Sequence, residues 1–412
     1  MRSKPSFLFS AILAIMFAVA APATAAAVSK YKVLYKFTGG VEGGQPGGGL
    51  VEDAAGNLYG TTGFGGDSSC GCGTVFKLDR AGKLTVLYSF AGGTDGAYPY
   101  ATLALSGNTL YGAANQGGRP GCFYYGCGLV FEVNTQTGAE KVLHVFNGLD
   151  GLYPSGVLLV RSGVLYGTTL QGGRFANCGH GCGVAYKLVL KTGAYTVLHK
   201  FAPADGANPE STLTLDAAGK VMYGATAQGG SANCWDGCGV LFKLTLKTGA
   251  YQVLYYFTGS PDAQHPYGPL SLDAAGNFYG DSQLGGSYPC RGDTGCGTVF
   301  MVDPKTGTDT VLHNFSGGAD GNYPLAGVIR SQAGTVYGTT AWGGSNDLGT
   351  VFELVKGTET VLHTFQGSDG SGPSAVVITD SKGDHFGTTS AGGSHSGVCA
   401  DYGCGVVWEI TP

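Results

Sequence analysis

The phrase Leu58-Tyr59-Gly60-Thr61-Thr62, followed by Gly65-Gly66 and then Gly73-Thr74-Val75-Phe76-Lys77-Leu78, constrains this chain most, because the chain keeps repeating it. Its aromatic-Gly core returns at Tyr111-Gly112, Tyr166-Gly167, Tyr223-Gly224, Tyr279-Gly280, Tyr337-Gly338 and Phe386-Gly387, each time ahead of a Gly-Gly pair and a second apolar run. Repeated units share one continuous core, so 412 residues read as one domain rather than two or three. A Val-Leu-x-x-Phe run sets the period. It closes on Phe37, Phe90, Phe146, Phe201, Phe257, Phe315 and Phe365, 50 to 58 residues apart, which is the range of four-stranded propeller blades.

Each unit holds four short apolar runs bounded by Gly, Pro, Asn or Asp, and none has the length and 3.6 period of a helix. In the first complete unit these are strand A from Gly49 to Asp53, B from Asn57 to Thr62, C from Gly73 to Asp79 and D from Leu84 to Phe90. A sheet this small leaves both faces wet unless neighbours stack on it radially. The phase of the repeat then matters. Residues 31–37 form a D strand with no A, B or C before it, and residues 373–410 supply A, B and C with no D after them. The expected fold is therefore all-β: a seven-bladed propeller with four antiparallel strands per blade. Its seventh blade is 373–410 plus strand 31–37, a pairing that covers two edges.

The Leu-Tyr-Gly-Thr-Thr, Gly-Gly, Gly-Thr-Val-Phe-x-Leu and Val-Leu-Tyr-x-Phe phrases together resemble the bacterial secreted tandem repeats called GloVer repeats, over residues 31–410. The resemblance implies an exported or surface propeller-like protein. It brings no activity and no catalytic residues with it.

Residues 1–25 follow the order of a secretory signal: Arg2 and Lys4, an apolar run from Phe7 to Ala20, and the small-x-small site Ala23-Thr24-Ala25. That run is shorter than the 18 or more apolar residues a membrane span needs. The mature domain is expected to be 26–412, secreted or periplasmic, with no membrane span. A net charge of -5 with 12% charged residues and no basic run offers nothing to neutralise phosphates, which excludes nucleic acid as a partner.

Twelve cysteines fall in six of the seven B–C loops as close pairs: Cys70/Cys72, Cys122/Cys127, Cys178/Cys182, Cys234/Cys238, Cys290/Cys296 and Cys399/Cys404. In an exported chain, local even pairs read as disulfides; two per loop are too few for a four-ligand zinc site. Cys70 and Cys72 are the doubtful pair, because one intervening residue strains the bond geometry.

Each D–A loop carries an acid shortly before a proline: Glu42, Asp95, Asp150, Asp205, Asp262, Asp320 and Asp369. One reading is a ring of carboxylates around the channel mouth able to hold a hard cation such as calcium. The other, favoured by repetition in all seven units, is that Asp-Gly makes the turn and Pro starts strand A, so no cofactor is required. His144, His199, His313 and His363 stand where other units have Tyr35, Tyr88 and Tyr255, which reads as packing.

What differs between copies points to recognition. The B–C loops carry Tyr124, Tyr125, Phe175, Trp235, Tyr288, Arg291, Trp342 and Tyr402, residue types that dominate binding surfaces and stack on sugar rings. They equally fit a role in covering the blade ends. The leading expectation is a non-catalytic propeller binding a glycan or extracellular protein through its B–C/D–A loop face. One alternative is a secreted hydrolase or lyase at the channel mouth using Asp281, Glu210 or the acidic ring; another is a structural surface protein. The inner strands, such as Leu103-Ala104-Leu105 and Leu213-Thr214-Leu215, offer no pair of carboxylates to flank a glycosidic bond.

Overall fold

The computed structural model describes residues 29–67, 69–119, 121–122, 125–173, 178–290, 294–396 and 399–411. Seven four-stranded antiparallel sheets follow one another along the chain. In blade 1 the strands are A (Val51–Glu52), B (Leu58–Thr62), C (Thr74–Leu78) and D (Leu84–Ser89). In blade 7 they are Ile378–Thr379, His385–Thr389, Val406–Thr411 and, from the other end of the chain, Lys30–Lys36, which pairs antiparallel with Val406–Thr411. Among the described residues, those expected to be loop are loop apart from a 3-10 turn at Gly93–Asp95, a two-residue ladder between Ala263–Gln264 and Leu284–Gly285, single bridges such as Gly44↔Phe64, and Leu152–Ser155, which pairs with Thr168–Gln171.

The core is not central. Seven apolar clusters each straddle two consecutive blades, and one of them joins blade 7 to blade 1 through Phe37, Leu50, Phe76, Phe386 and Val407. The period-2 geometry of strand C makes this work: Val75 packs toward blade 2 and Phe76 toward blade 7. With both faces covered, strand C reads as a nearly continuous apolar run.

The closing Phe of each strand D meets the strand C aromatic of the next blade edge to face. The seven pairs are Phe37–Phe76, Phe90–Phe131, Phe146–Tyr186, Phe201–Phe242, Phe257–Phe300, Phe315–Phe352 and Phe365–Trp408, with centroids 4.9 to 6.4 Å apart. Such pairs contribute about 0.5–1.5 kcal/mol beyond the area they bury. The glycine of each Tyr-Gly phrase lies across the ladder from that aromatic, as Gly224 does from Phe242, where a Cβ would sit 2.7 Å from Phe242 Cζ. Only glycine lets the ring lie flat there.

Strand A differs from expectation. In blade 1 it pairs over two residues, Val51–Glu52, instead of the five from Gly49 to Asp53. Pro46 has no N–H for a ladder, and the Gly47-Gly48-Gly49 run has no side chain to pack, so the segment after each loop bends to line the axis instead. Blade 3 pairs from Leu152 to Arg161, with a register break between Ser155 and Leu159.

Candidate functional site

Strands alternate in direction from A outward to D, so the B–C and D–A loops share one face. Each D–A loop ends in a proline, and the residue before that proline is left-handed in every blade: Gln45, Tyr98, Tyr153, Asn208, His265 and Tyr323 have φ of 53° to 56°, and Gly372 has 62°. A residue before proline ordinarily stays extended, and a side chain in the left-handed region costs about 1–2 kcal/mol. The conformation is held by the preceding blade. The N–H of Tyr98 donates to Cys72 O at 2.9 Å, that of Asn208 to Cys182 O at 3.0 Å, and that of His265 to Cys238 O at 3.1 Å; Gln45, Tyr153 and Tyr323 repeat this with Cys404, Cys127 and Cys296. Gly372, in the unit whose preceding loop lacks cysteines, uses Leu348 O instead.

The cysteines are thereby placed. All six local pairs are disulfides, including Cys70–Cys72, with Cα atoms 5.0 to 5.3 Å apart, and no described cysteine is free. One intervening residue suffices for Cys70–Cys72 because Gly71 takes φ 58° between them. In each pair the second cysteine is the one whose carbonyl holds the left-handed residue of the next blade.

The residues flanking the prolines form two concentric sets. Those before the prolines stand around the mouth; those after them, Gly47, Tyr100, Glu210, Tyr267, Leu325 and Ser374, line a cavity of about 100 Å3 on the axis. Sequence reasoning took the acid from each D–A loop and, apart from Glu210, passed over the residues flanking the prolines. The signal was present, since six of the seven residues before proline carry side chains where glycine would be the unstrained choice.

Outward from the mouth, clefts open between adjacent blades. One of about 570 Å3 lies between blades 3 and 4, lined by Asn208, Gln228, Trp235 and Asp236; its counterpart between blades 5 and 6, about 470 Å3, is lined by Tyr323, Trp342 and Asp347. Trp235 is completely exposed and Trp342 is 49% exposed; Tyr125, Tyr288 and Tyr402 are also exposed. These five rings therefore do not fold over their own loops. Tyr124, Phe175 and Arg291 lie outside the described residues. Beside Trp235, Asp236 accepts from Gln228 Nε2 at 2.5 Å and pairs with His265 Nε2 at 3.0 Å, while Asn208 Nδ2 donates to Gln228.

None of the seven acidic residues of the D–A loops lines the axial cavity. Each serves its own turn at the end of the outermost strand. The backbone N–H just past the closing Phe donates to the carboxylate in every blade, as Ala91 does to Asp95 at 2.8 Å and Gln366 to Asp369 at 2.8 Å. The strand D ring adds a second partner: Tyr88 with Asp95 at 2.9 Å, His199 with Asp205 at 3.1 Å, Tyr255 with Asp262 at 3.0 Å and His363 with Asp369 at 2.9 Å. At Asp320 burial works to raise the carboxyl, but bonds from His313 and Ser316 outweigh it and hold it at about 2. Among the described residues no three acidic, His or Cys groups converge to hold a metal ion. The strand D histidines pack as expected, His144 on Tyr195 at 3.8 Å and His363 on Tyr31 at 3.6 Å.

Two carboxyls break the repeat. Glu210 lines the axial cavity, where burial raises it to about 7. Asp281 occupies the position of Thr61, Thr168, Thr339 and Thr388. It is 1% exposed, and burial raises it to about 7 against a hydrogen bond at 3.1 Å from Gly327 N–H, while its Oδ2 has no partner. An acid so enclosed cannot reach a substrate in the axial cavity, so the two do not act as a pair flanking a bond there.

A family model described as the Gloeobacter/Verrucomicrobia repeat matches residues 23–236, 120–289 and 221–412. No curated protein matches the chain. Among solved structures, the extracellular domain of a one-component system from B. thetaiotaomicron matches over 88% of this chain at 11% identity with a TM-score of 0.52; the chain spans 38% of that structure. An oligogalacturonate lyase in complex with manganese matches over 86% of this chain and 85% of its own length, at 14% identity and a TM-score of 0.51. At these identities the likeness is one of fold.

Proposed function

The chain belongs to the Gloeobacter/Verrucomicrobia repeat family, and from that premise we propose that it is an exported, non-catalytic propeller that binds a glycan through its B–C/D–A loop face. Export rests on the signal-like residues 1–25 and on six disulfides, which persist in oxidising compartments. Among the described residues no helix is long and apolar enough to cross a membrane.

The observation that carries the binding reading is the left-handed ring. Six blades hold a side chain in a costly conformation at the mouth, and Gly372 marks the residue that would avoid the cost. Strain kept at equivalent positions, with a different polar or aromatic group on each, fits a surface selected for contact. The Trp235 and Trp342 clefts extend it outward with rings for stacking and amides and carboxylates for hydroxyl groups.

Two sets of variants test this on a glycan array with the mature protein. Trp235→Ala with Trp342→Ala is expected to lower binding at least tenfold. Asn208→Gly with Tyr323→Gly is expected to lower it similarly while unfolding free energy stays within about 1 kcal/mol of the parent, because relief of strain offsets the entropy of glycine. Undiminished array binding in both sets would overturn the glycan reading. An empty array with capture of an extracellular protein, lost in the same variants, would reassign the face to a protein partner.

A further inference from the structure

The axial cavity differs chemically from the clefts around it. Among the described residues its only acid is Glu210, its other titratable groups are the Tyr100 and Tyr267 phenols, and no Lys, Arg or His lines it. Glu210 is half-buried in the open axial funnel, and its carboxyl has no hydrogen-bond or ion-pair partner among the described residues. Tyr267 feels the charge of Glu210 and, more weakly, that of Asp236 at the rim. Asp281 lies behind the cavity wall, bonded to Gly327 where that glycine touches Gly268. A carboxyl half-buried without a protein donor costs stability when it ionises, and nothing in the repeat demands it, since the equivalent positions hold Gly47, Tyr100, Ser155, Tyr267, Leu325 and Ser374.

We propose that this cavity binds a single primary ammonium group, with Glu210 as its counter-ion and the Tyr100 and Tyr267 rings as its walls. An ammonium group matches on three counts. It supplies donors to an acceptor-only carboxylate, its compact charge fits a volume near 100 Å3, and tyrosine rings attract cations. A calcium ion would need six to eight oxygen ligands, of which one carboxylate is present. A neutral hydroxyl group would leave the charge unmatched. The ammonium group can belong to a hexosamine or to a lysine-like amine. This inference stands without the glycan reading, because it concerns the hole on the axis and not the rim.

The linkage has a definite sign. An ammonium ion binds ionised Glu210, so binding tightens as pH rises through about 7, and below that pH each amine bound releases a proton. The test follows the Glu210 carboxyl by 13C NMR across pH, with ethylammonium chloride against matched sodium chloride. Ethylammonium is expected to lower the Glu210 midpoint by at least one unit, a tenfold or greater coupling, and Glu210→Gln is expected to abolish binding. Tyr267→Leu is expected to weaken it severalfold with the midpoint still responsive. Glucosamine and lysine amide distinguish the two sources; N-acetylglucosamine, which lacks the charge, is expected to leave the midpoint in place. A midpoint unmoved by all three amines overturns the proposal, as does an equal shift with N-acetylglucosamine. Should Glu210→Gln misfold, the midpoint measurement on the unaltered protein still decides.

Discussion

Asp281→Thr is expected to stabilise the protein at pH 8 by on the order of 2–3 kcal/mol and to destabilise it slightly at pH 4. Burial pushes the Asp281 carboxyl up to about 7 in the folded chain, against an ordinary value of 3.8. Below 3.8 the carboxyl is protonated whether the chain is folded or not, and it has no pH-dependent effect. Between those values the unfolded chain gives up its proton and the folded one does not, so folding loses about 1.4 kcal/mol per pH unit until about 7. The stability contributed by the protonated acid is thus fully present under acid conditions and lost as pH rises. Threonine, which four other blades carry at this position, removes that loss. It also deprives the Gly327 N–H of its acceptor, a cost of about 1 kcal/mol that dominates at pH 4. Asp309 reinforces the trend in the parent: burial, then the neighbouring Asp262, push its carboxyl well above the usual range. Urea unfolding of both proteins at pH 4 and pH 8 is the check. Equal pH dependence in parent and variant would show that Asp281 ionises freely in the fold.

Removing residues 29–37 is expected to abolish the single cooperative melting transition. The segment contributes the fourth strand of blade 7, paired from Lys30↔Thr411 to Lys36↔Val406. Tyr31 stacks on His363 and donates its hydroxyl to Asp369 O at 2.6 Å, and Phe37 is fully buried against Phe76. Without it Val406–Thr411 becomes a bare edge, and the clusters on both sides of blade 7 lose a wall. Phe37→Ala alone is expected to cost about 3–5 kcal/mol. Attaching residues 29–37 to the other end of the truncated chain through a Gly/Ser linker should restore cooperative melting, because the strand would reach the same partner. A truncated chain that melts within a few degrees of the full one would mean that the N-terminal strand does not hold the ring.

The blades were legible because their signals are local. The glycine opposite Phe242, the apolar run of strand C and the Gly-Cys-Gly entry each state a requirement of one strand pair, and seven repetitions remove ambiguity from any single copy. The local cysteine spacing likewise named its own partners, except that Cys70–Cys72, doubtful with one intervening residue, was decided by the structure. The carboxylates were not legible in the same way. Asp95 and its equivalents left both a ring and a turn open, with the turn favoured by repetition; strand D is the outermost strand, and Tyr88 or His199 bonds the carboxylate within its own turn. The clefts were half legible: Trp235 and Trp342 were visible as aromatic loop residues, but not that each would stand over the same inter-blade groove.

The sequence by itself settled the number of blades, the order of strands and every disulfide partner but Cys70–Cys72, because hydrophobic period, turn residues and short spacings are properties of neighbours along the chain. Tertiary structure alone decided which residues meet at the mouth. Gln45, Tyr98, Asn208 and His265 are set on that side by a left-handed backbone held by carbonyls of the preceding blade, and Glu210 lines the axis because strand A of its blade joins the ladder only at Thr214. Both outcomes depend on contacts between blades about fifty residues apart, which no local pattern records.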